Sequence, residues 1–280
     1  MDFKKDFNIK PKLVQPNGNV LFTNGTTDVI PNQQACEAYG YTYDVKTGTC
    51  QSFVRSEELD KRFNNFSNKS QGDQNLFNEG TVNTFINGQR NTTLGQNINC
   101  FINGEKNKTE DLVNNAVVIG TYGKALRQGE FVLGGGGNKT LETFAPQATK
   151  IIMSGNTTDN TATFLNVLGI NDAYITTVAN SLIGFEAFVT RVEAGGSSGT
   201  VGNFSYRHIK GHVVCDNSNA HNIVTFNSRV LAKDGVNGTC TMQSQSSGNL
   251  ALQVTDRNNV TNYWSAVIYL HEMHTNLTIS

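Results

Sequence analysis

The chain has 280 residues, more than one small core needs, and combines 16% charged with 37% hydrophobic residues, 27 Gly and only 4 Pro. With its many Asn and Thr residues, that profile favours turns and strands over helices, and two or three folding units are expected. A net charge of -1 from 22 basic and 23 acidic residues, with no long run of either sign, gives no basis for electrostatic capture of nucleic acid or an anionic membrane.

The opening Met1-Asp2-Phe3-Lys4-Lys5-Asp6-Phe7 lacks the apolar stretch of a signal peptide, and no later window approaches a membrane span. The chain is therefore expected to be made and used in soluble form. Residues 1–55 hold Pro11, Pro16 and Pro31 and the turn signals Asn17-Gly18, Asn24-Gly25 and Thr47-Gly48. They read as an extended or short-stranded arm. Leu13, Val14, Val20, Leu21 and Phe22 are too few for a core, so the arm is expected to order against a partner. Asn-x-Ser/Thr matches at Asn24, Asn91, Asn107, Asn156 and Asn237 read as turns.

Five cysteines are odd in number and too sparse for a disulfide scaffold. Cys36 and Cys50 bracket a Tyr/Gly-rich segment and can meet across a hairpin, although reduced thiols are the expectation in a cytoplasm. The spacing leaves that bond open. A zinc site would need four ligands at paired short spacing, and neither cysteine has such a neighbour. One short helix is expected over 54–66, where Ser56-Glu57-Glu58 marks an N-terminus and Leu59, Phe63 and Phe66 form an apolar stripe.

Gly72, Gly88, Gly104 and Gly120 then fall sixteen residues apart, and the residues ahead of the last three agree. Thr84-Phe85-Ile86-Asn87-Gly88 aligns with Cys100-Phe101-Ile102-Asn103-Gly104 and with Ala116-Val117-Val118-Ile119-Gly120, and Phe131-Val132-Leu133-Gly134 repeats the frame after fourteen. A repeat this short cannot bury its own apolar face, so consecutive copies must stack. Glycine suits a corner needing positive φ, and Gly80, Gly95 and Gly123 mark a second corner.

The segment from Asn115 to Gly134, with Ala116-Val117-Val118-Ile119-Gly120-Thr121-Tyr122-Gly123-Lys124-Ala125-Leu126, resembles the head repeat of trimeric autotransporter adhesins, which also occurs in phage fibres. The resemblance implies a parallel β-roll, three rolls packed about one axis. Its usual period is shorter than sixteen.

Beyond Gly134-Gly135-Gly136-Gly137-Asn138, a hinge by composition, longer alternating strands are expected at 150–154, 163–167, 181–192, 200–214, 223–232, 250–255 and 263–270. Such strands with Gly- and Asn-rich turns indicate a sandwich or jelly roll. Leu250, Leu252 and Val254 share one face, and Trp264, Ala266, Ile268 and Leu270 another. The stretches Ile151-Ile152-Met153-Ser154-Gly155-Asn156, Ile183-Gly184-Phe185-Glu186-Ala187-Phe188 and Leu250-Ala251-Leu252-Gln253-Val254 resemble the C-terminal β domain of phage fibre proteins.

The expected architecture is all-β: a docking arm over 1–55, a short helix and trimeric β-roll (β-helix) shaft over 56–138, and a jelly-roll-like β-sandwich tip over 139–280. The resemblances imply a bacteriophage virion fibre, of head or tail, as a homotrimer attached to capsid or tail through residues 1–55. Its tip is suited to a host surface glycan.

His208 and His212, and His271 and His274, invite a metal reading, but strand residues four apart lie about 13 Å from each other, too far for one ion, which leaves open only a site on a trimer axis with the same histidine from each copy. Glu186 with Glu193, and Asp216 with Asp234, are the carboxylate pairs that could face a groove. Tyr174, Tyr206 and Tyr263 are candidates for sugar stacking, whereas Trp264 reads as core. No spacing identifies a catalytic, cofactor or metal site, so the expectation is a structural protein and not an enzyme. The alternative is a tail-spike depolymerase cleaving host polysaccharide. A bacterial surface adhesin is a third reading, opposed by the missing signal peptide and anchor.

Overall fold

The computed structural model describes residues 2–15, 18–45, 47–52, 67–137, 145–275 and 277–279. The chain divides into two compact units, Met1–Phe66 and Ser67–Ser280. The helix expected over 54–66 lies outside the described residues.

In the first unit β1 (Lys10–Val14), β2 (Val20–Thr23) and β3 (Asp28–Val29) form an antiparallel sheet. The short helix α1 (Gln33–Ala38) leads into the hairpin of β4 (Thr42–Asp44) and β5 (Thr49–Gln51). Asn32 starts α1 by accepting the Ala35 N–H on its side-chain oxygen at 2.8 Å. Alternation along β2 turns Val20 and Phe22 inward, where they meet Cys36, Cys50 and the half-buried Ile9, Tyr39, Tyr41 and Tyr43. Where the sequence suggests an arm without a core, this small core forms. It does so because tyrosines supply buried area and Cys36 and Cys50, with Cα atoms 5.7 Å apart, are joined in a disulfide. The expectation of reduced thiols here is corrected: α1 and β5 carry the two sulfurs to one place.

The second unit begins with stacked coils. The parallel strands β6 (Lys69–Asp73), β7 (Phe85–Gln89), β9 (Phe101–Glu105), β11 (Val117–Thr121) and β13 (Phe131–Gly135) form one side. The short β8 (Thr92–Thr93), β10 (Lys108–Thr109) and β12 (Lys124–Ala125) form another. Bridges from Val82 to Ile98 to Asn114 mark a third. Ile86, Ile102, Val118 and Val132 hold the same place in successive coils and are fully buried, so each coil completes its neighbour's core. The repeat glycines pair in register inside the long strands, with Gly88 opposite Gly104 and Gly104 opposite Gly120. They take positive φ there, and a Cβ on Gly104 would lie 1.9 Å from the Gly120 carbonyl oxygen. Close backbone approach, as much as φ, therefore demands glycine.

Three residues after Gly72, Gly88 and Gly104 stand Asn75, Asn91 and Asn107, and these form a ladder that is buried from Asn91 on. The Asn91 amide donates to Gly104 O at 2.9 Å and that of Asn107 to Gly120 O at 2.8 Å, while their side-chain oxygens accept the N–H of Asn107 and Gly123. Asn91 and Asn107 are thus wall braces, not the turns that the Asn-x-Thr pattern suggests. Asn24 does hold a turn, accepting the N–H of Thr26 and Thr27. Gly123, expected as a corner, occupies the ladder's fourth place without positive φ.

After β13 the same sheet continues with antiparallel strands. These are β14 (Ala145–Thr157), β18 (Ser181–Gly195), β19 (Phe204–Cys215), β20 (His221–Lys233) and β23 (Thr261–His274), in the order β20-β19-β18-β23-β14-β13. A smaller sheet pairs β15 (Thr163–Phe164), β17 (Ile175–Thr176) and β21 (Thr239–Ser246) with β22 (Asn249–Thr255), while β16 (Asn166–Val167) pairs with β14. Ile183, Phe185, Ala187, Trp264, Ala266 and Ile268 of the large sheet bury against Met242, Leu250, Leu252 and Val254 of the small one. The fold is therefore almost entirely β: stacked coils merging into a two-sheet C-terminal domain, as the repeat and the alternation imply.

Candidate functional site

The period of two that buries Ile183, Phe185, Ala187 and Val189 of β18 sends Leu182, Gly184, Glu186 and Phe188 to the outer face. There Phe188 is the centre of a ring cluster. The His208 imidazole stacks on it at 4.6 Å between centroids and 5° between planes, Tyr206 lies parallel at 6.1 Å, and Tyr269 meets it edge-on at 6.4 Å. Register explains the grouping, because His208 lies opposite Phe188 across the β18–β19 pair, and Tyr269 lies opposite Glu186 on the other side.

Two polar groups border the rings. Nε2 of His208 is 2.6 Å from Oε1 of Glu186, and about half of the Glu186 side chain stays exposed. The Lys150 ammonium lies 5.9 Å from the Tyr269 ring centre, and Lys210 stands opposite Glu186 on β19. Flat apolar ring faces beside a carboxylate, an imidazole and two ammonium groups can stack on sugar C–H faces, bond hydroxyls and pair with acidic substituents. A carboxylate hydrogen-bonded to an imidazole is also a pair able to move a proton.

The other residues singled out in the sequence are dispersed. Glu193 is seven positions from Glu186 and faces the interior, where, against the opposing effect of burial, the Thr200 N–H at 2.9 Å, Arg257 at 2.5 Å and Arg191 at 3.0 Å hold it below the usual carboxylate range. The pair Glu186–Glu193 therefore shares no groove. Asp216 caps its own turn by accepting the N–H of Ser218 and Ala220, and Asp234 is exposed at the end of the β19–β20 pair. Histidines His208, His212 and His271 share the outer face, while His274 faces inward beside Glu272. Among the described residues no group of three His, Cys, Asp or Glu side chains gathers as a metal site. Among those residues no helix is long and apolar enough to cross a membrane. Tyr206 joins the ring cluster and Tyr263 is exposed on the same face, whereas Tyr174 packs on Phe164. Trp264 is core, and its indole N–H donates to Thr157 Oγ1 at 3.0 Å.

Sequence reasoning missed Phe188 and the Glu186–His208 contact, because only strand register joins residues twenty-two apart. It also missed a buried charge cluster between the last coil and the C-terminal domain. Arg127, fully buried, bonds Glu130 at 3.1 Å, both carboxylate oxygens of Glu272 on β23, and the Thr176 carbonyl on β17. Burial pushes Glu130 up to about 7, opposed by Arg127. The Glu272 carboxyl is brought to about 2 by Arg127, with bonds from Gln147 and Thr149, against the cost of burial. This cluster is sealed from solvent and holds elements together.

No family model matches the sequence, and no curated protein is similar to it. Three solved structures align with the chain. The tailspike protein of Acinetobacter baumannii phage AM24 aligns at 9% identity with a TM-score of 0.25, covering 76% of this chain and 50% of that one. That of Acinetobacter phage vB_ApiP_P1 aligns at 9% identity and TM-score 0.23, over 74% of this chain and 55% of that one. The tailspike gp49 of Acinetobacter baumannii bacteriophage Fri1 aligns at 12% identity and TM-score 0.24, over 72% and 36% respectively. The chain thus spans about half or less of the length of each. The Fri1 protein is a capsular polysaccharide depolymerase, and on that finding the expectation that this chain is not an enzyme is corrected.

Proposed function

We propose that the chain is part of a phage tailspike-type fibre whose outer sheet face binds and cleaves host surface polysaccharide. The observation that carries this reading is the outward-facing Phe188–His208–Tyr206–Tyr269 ring cluster, half-buried except for the exposed Tyr269, with the Glu186–His208 pair on its border. Rings of this kind hold pyranose units by stacking, and the adjacent carboxylate and imidazole are placed to exchange a proton with a glycosidic or ring position. Lys150 and Lys210 favour an acidic saccharide. In this reading the protein is a homotrimer, resides in the virion, and is attached to capsid or tail through residues 1–55.

A panel of purified bacterial capsular polysaccharides tests it by titration calorimetry. The full chain is expected to bind at least one, and Phe188→Ala to weaken that binding at least tenfold with the fold intact. No binding across the panel, or equal binding by the variant, contradicts it.

A further inference from the structure

The outer face of the coils carries an apolar strip without a cover. In strand register Phe85, Phe101, Val117 and Phe131 stand side by side, one per coil, and the row continues into Lys150, Tyr269 and Glu186. Asn87, Asn103, Ile119 and Leu133 form the next row. Phe101 is 37% exposed, Phe131 44%, Leu133 50%, Leu182 43% and Met273 39%. Where coils meet the C-terminal domain, a hollow of about 540 Å³ opens among Leu133, Pro146, Ala148, Leu182, Gly184 and Met273.

We propose that this strip is the seam along which copies of the chain assemble side by side and in parallel, a proposal that rests on the homotrimer reading above. Its period is the first argument. The rings recur at the strand spacing, about 4.8 Å, and another copy of the same ladder keeps that period over the whole length. Extent is the second argument. The seven strands from β7 to β18 span about 30 Å, and five-residue strands about 17 Å, so the strip projects on the order of 500 Å². Asn87, Asn103, Lys150 and Glu186 make part of it polar, so its apolar share falls within the few hundred Å² of the largest apolar patch a monomer usually exposes, while side-chain relief takes the accessible area of the whole strip towards the roughly 800 Å² per partner of a stable interface.

Polar satisfaction is the third. Asn87 already donates to the Asn103 side-chain oxygen at 2.8 Å within the chain, which leaves the Asn87 oxygen and the Asn103 amide nitrogen to pair with the neighbouring copy across the seam. The outward residues of the small C-terminal sheet, by contrast, are polar: Thr239, Thr241, Gln243, Gln253 and Thr255. A parallel arrangement sets equivalent rings at one height, and the hollow receives side chains of the neighbouring copy. The seam ends on the Lys150–Tyr269–Glu186 row, so the neighbour forms a wall beside the ring cluster.

Sedimentation of the full chain at micromolar concentration, combined with cross-linking of single-cysteine additions by a short bis-maleimide, tests this. The expected result is a particle of three chains in which Phe131→Cys cross-links between copies, while Lys108→Cys, on another side of the coil, does not. Phe101→Glu with Phe131→Glu is expected to yield monomers whose strand content by circular dichroism is unchanged. A trimer that cross-links at residue 108 and not at 131, or that survives the double substitution, overturns the seam and leaves the homotrimer standing. A monomeric wild-type chain overturns both.

Discussion

Gly104 and Asn91 show how little freedom one coil leaves its neighbour. Any Cβ at position 104 collides with the Gly120 carbonyl, at a φ of +122° that side chains rarely adopt. Gly104→Ala is therefore expected to cost about 3 kcal/mol or more, read as a lower urea midpoint with Trp264, the single tryptophan, as fluorescent probe. Asn91→Ala removes the partner of the half-buried Gly104 O and of the buried Asn107 N–H, and is expected to cost about 2–4 kcal/mol in the same measurement. Glu130 gives a pH signature. Its carboxyl, raised to about 7 by burial, favours the folded state while protonated. That contribution is complete below the unfolded value near 4.5 and is lost as pH rises through about 7. Burial also holds the His221 and His274 imidazoles below their usual value, which raises stability as pH rises towards 6.5, so the test is the difference: between pH 5 and 8 the melting temperature of Glu130→Gln is expected to rise relative to that of the unaltered chain. At this scale the sequence showed the glycines because they share a sixteen-residue frame. The asparagines share it too, three places on, but Asn-x-Thr also marks local turns, and a bond to the next coil leaves no local trace.

Strands were legible wherever alternation ran long, as in Leu250–Leu252–Val254 and Trp264–Ala266–Ile268. The strand β21 was not, because Thr239-Cys240-Thr241-Met242 alternates small polar residues with two inward sulfur-bearing ones and reads as a loop. Nor was the first unit's core, where a covalent bond substitutes for missing apolar area. With Cys36 and Cys50 fourteen positions apart in sequence, the bond is expected to contribute about 3 kcal/mol. Reduction should lower the unfolding free energy of that unit, read as faster hydrogen exchange, and leave the Trp264 transition unchanged. The last coil and the two sheets depend on Arg127 in the same way. Replacing it by Met isolates two buried carboxylates and is expected to cost about 3–5 kcal/mol, again read through Trp264.

For the whole molecule, the large sheet runs from the first coil to β20 without interruption, and its outer face divides by chemistry. Apolar rings cover the coil section, and a mixed ring, carboxylate and imidazole cluster lies beside it on the C-terminal domain. The sequence revealed the coils and the domain through repeat and alternation, while the site itself depends on which strands become neighbours across β18. The most direct measurement is the release of new reducing ends or unsaturated sugars from acidic capsular polysaccharides incubated with the full chain. The account predicts release from at least one polysaccharide, with Glu186→Gln reducing the rate a hundredfold or more while Trp264 unfolding is unaltered. Release undiminished in that variant, or none from any polysaccharide, would contradict it.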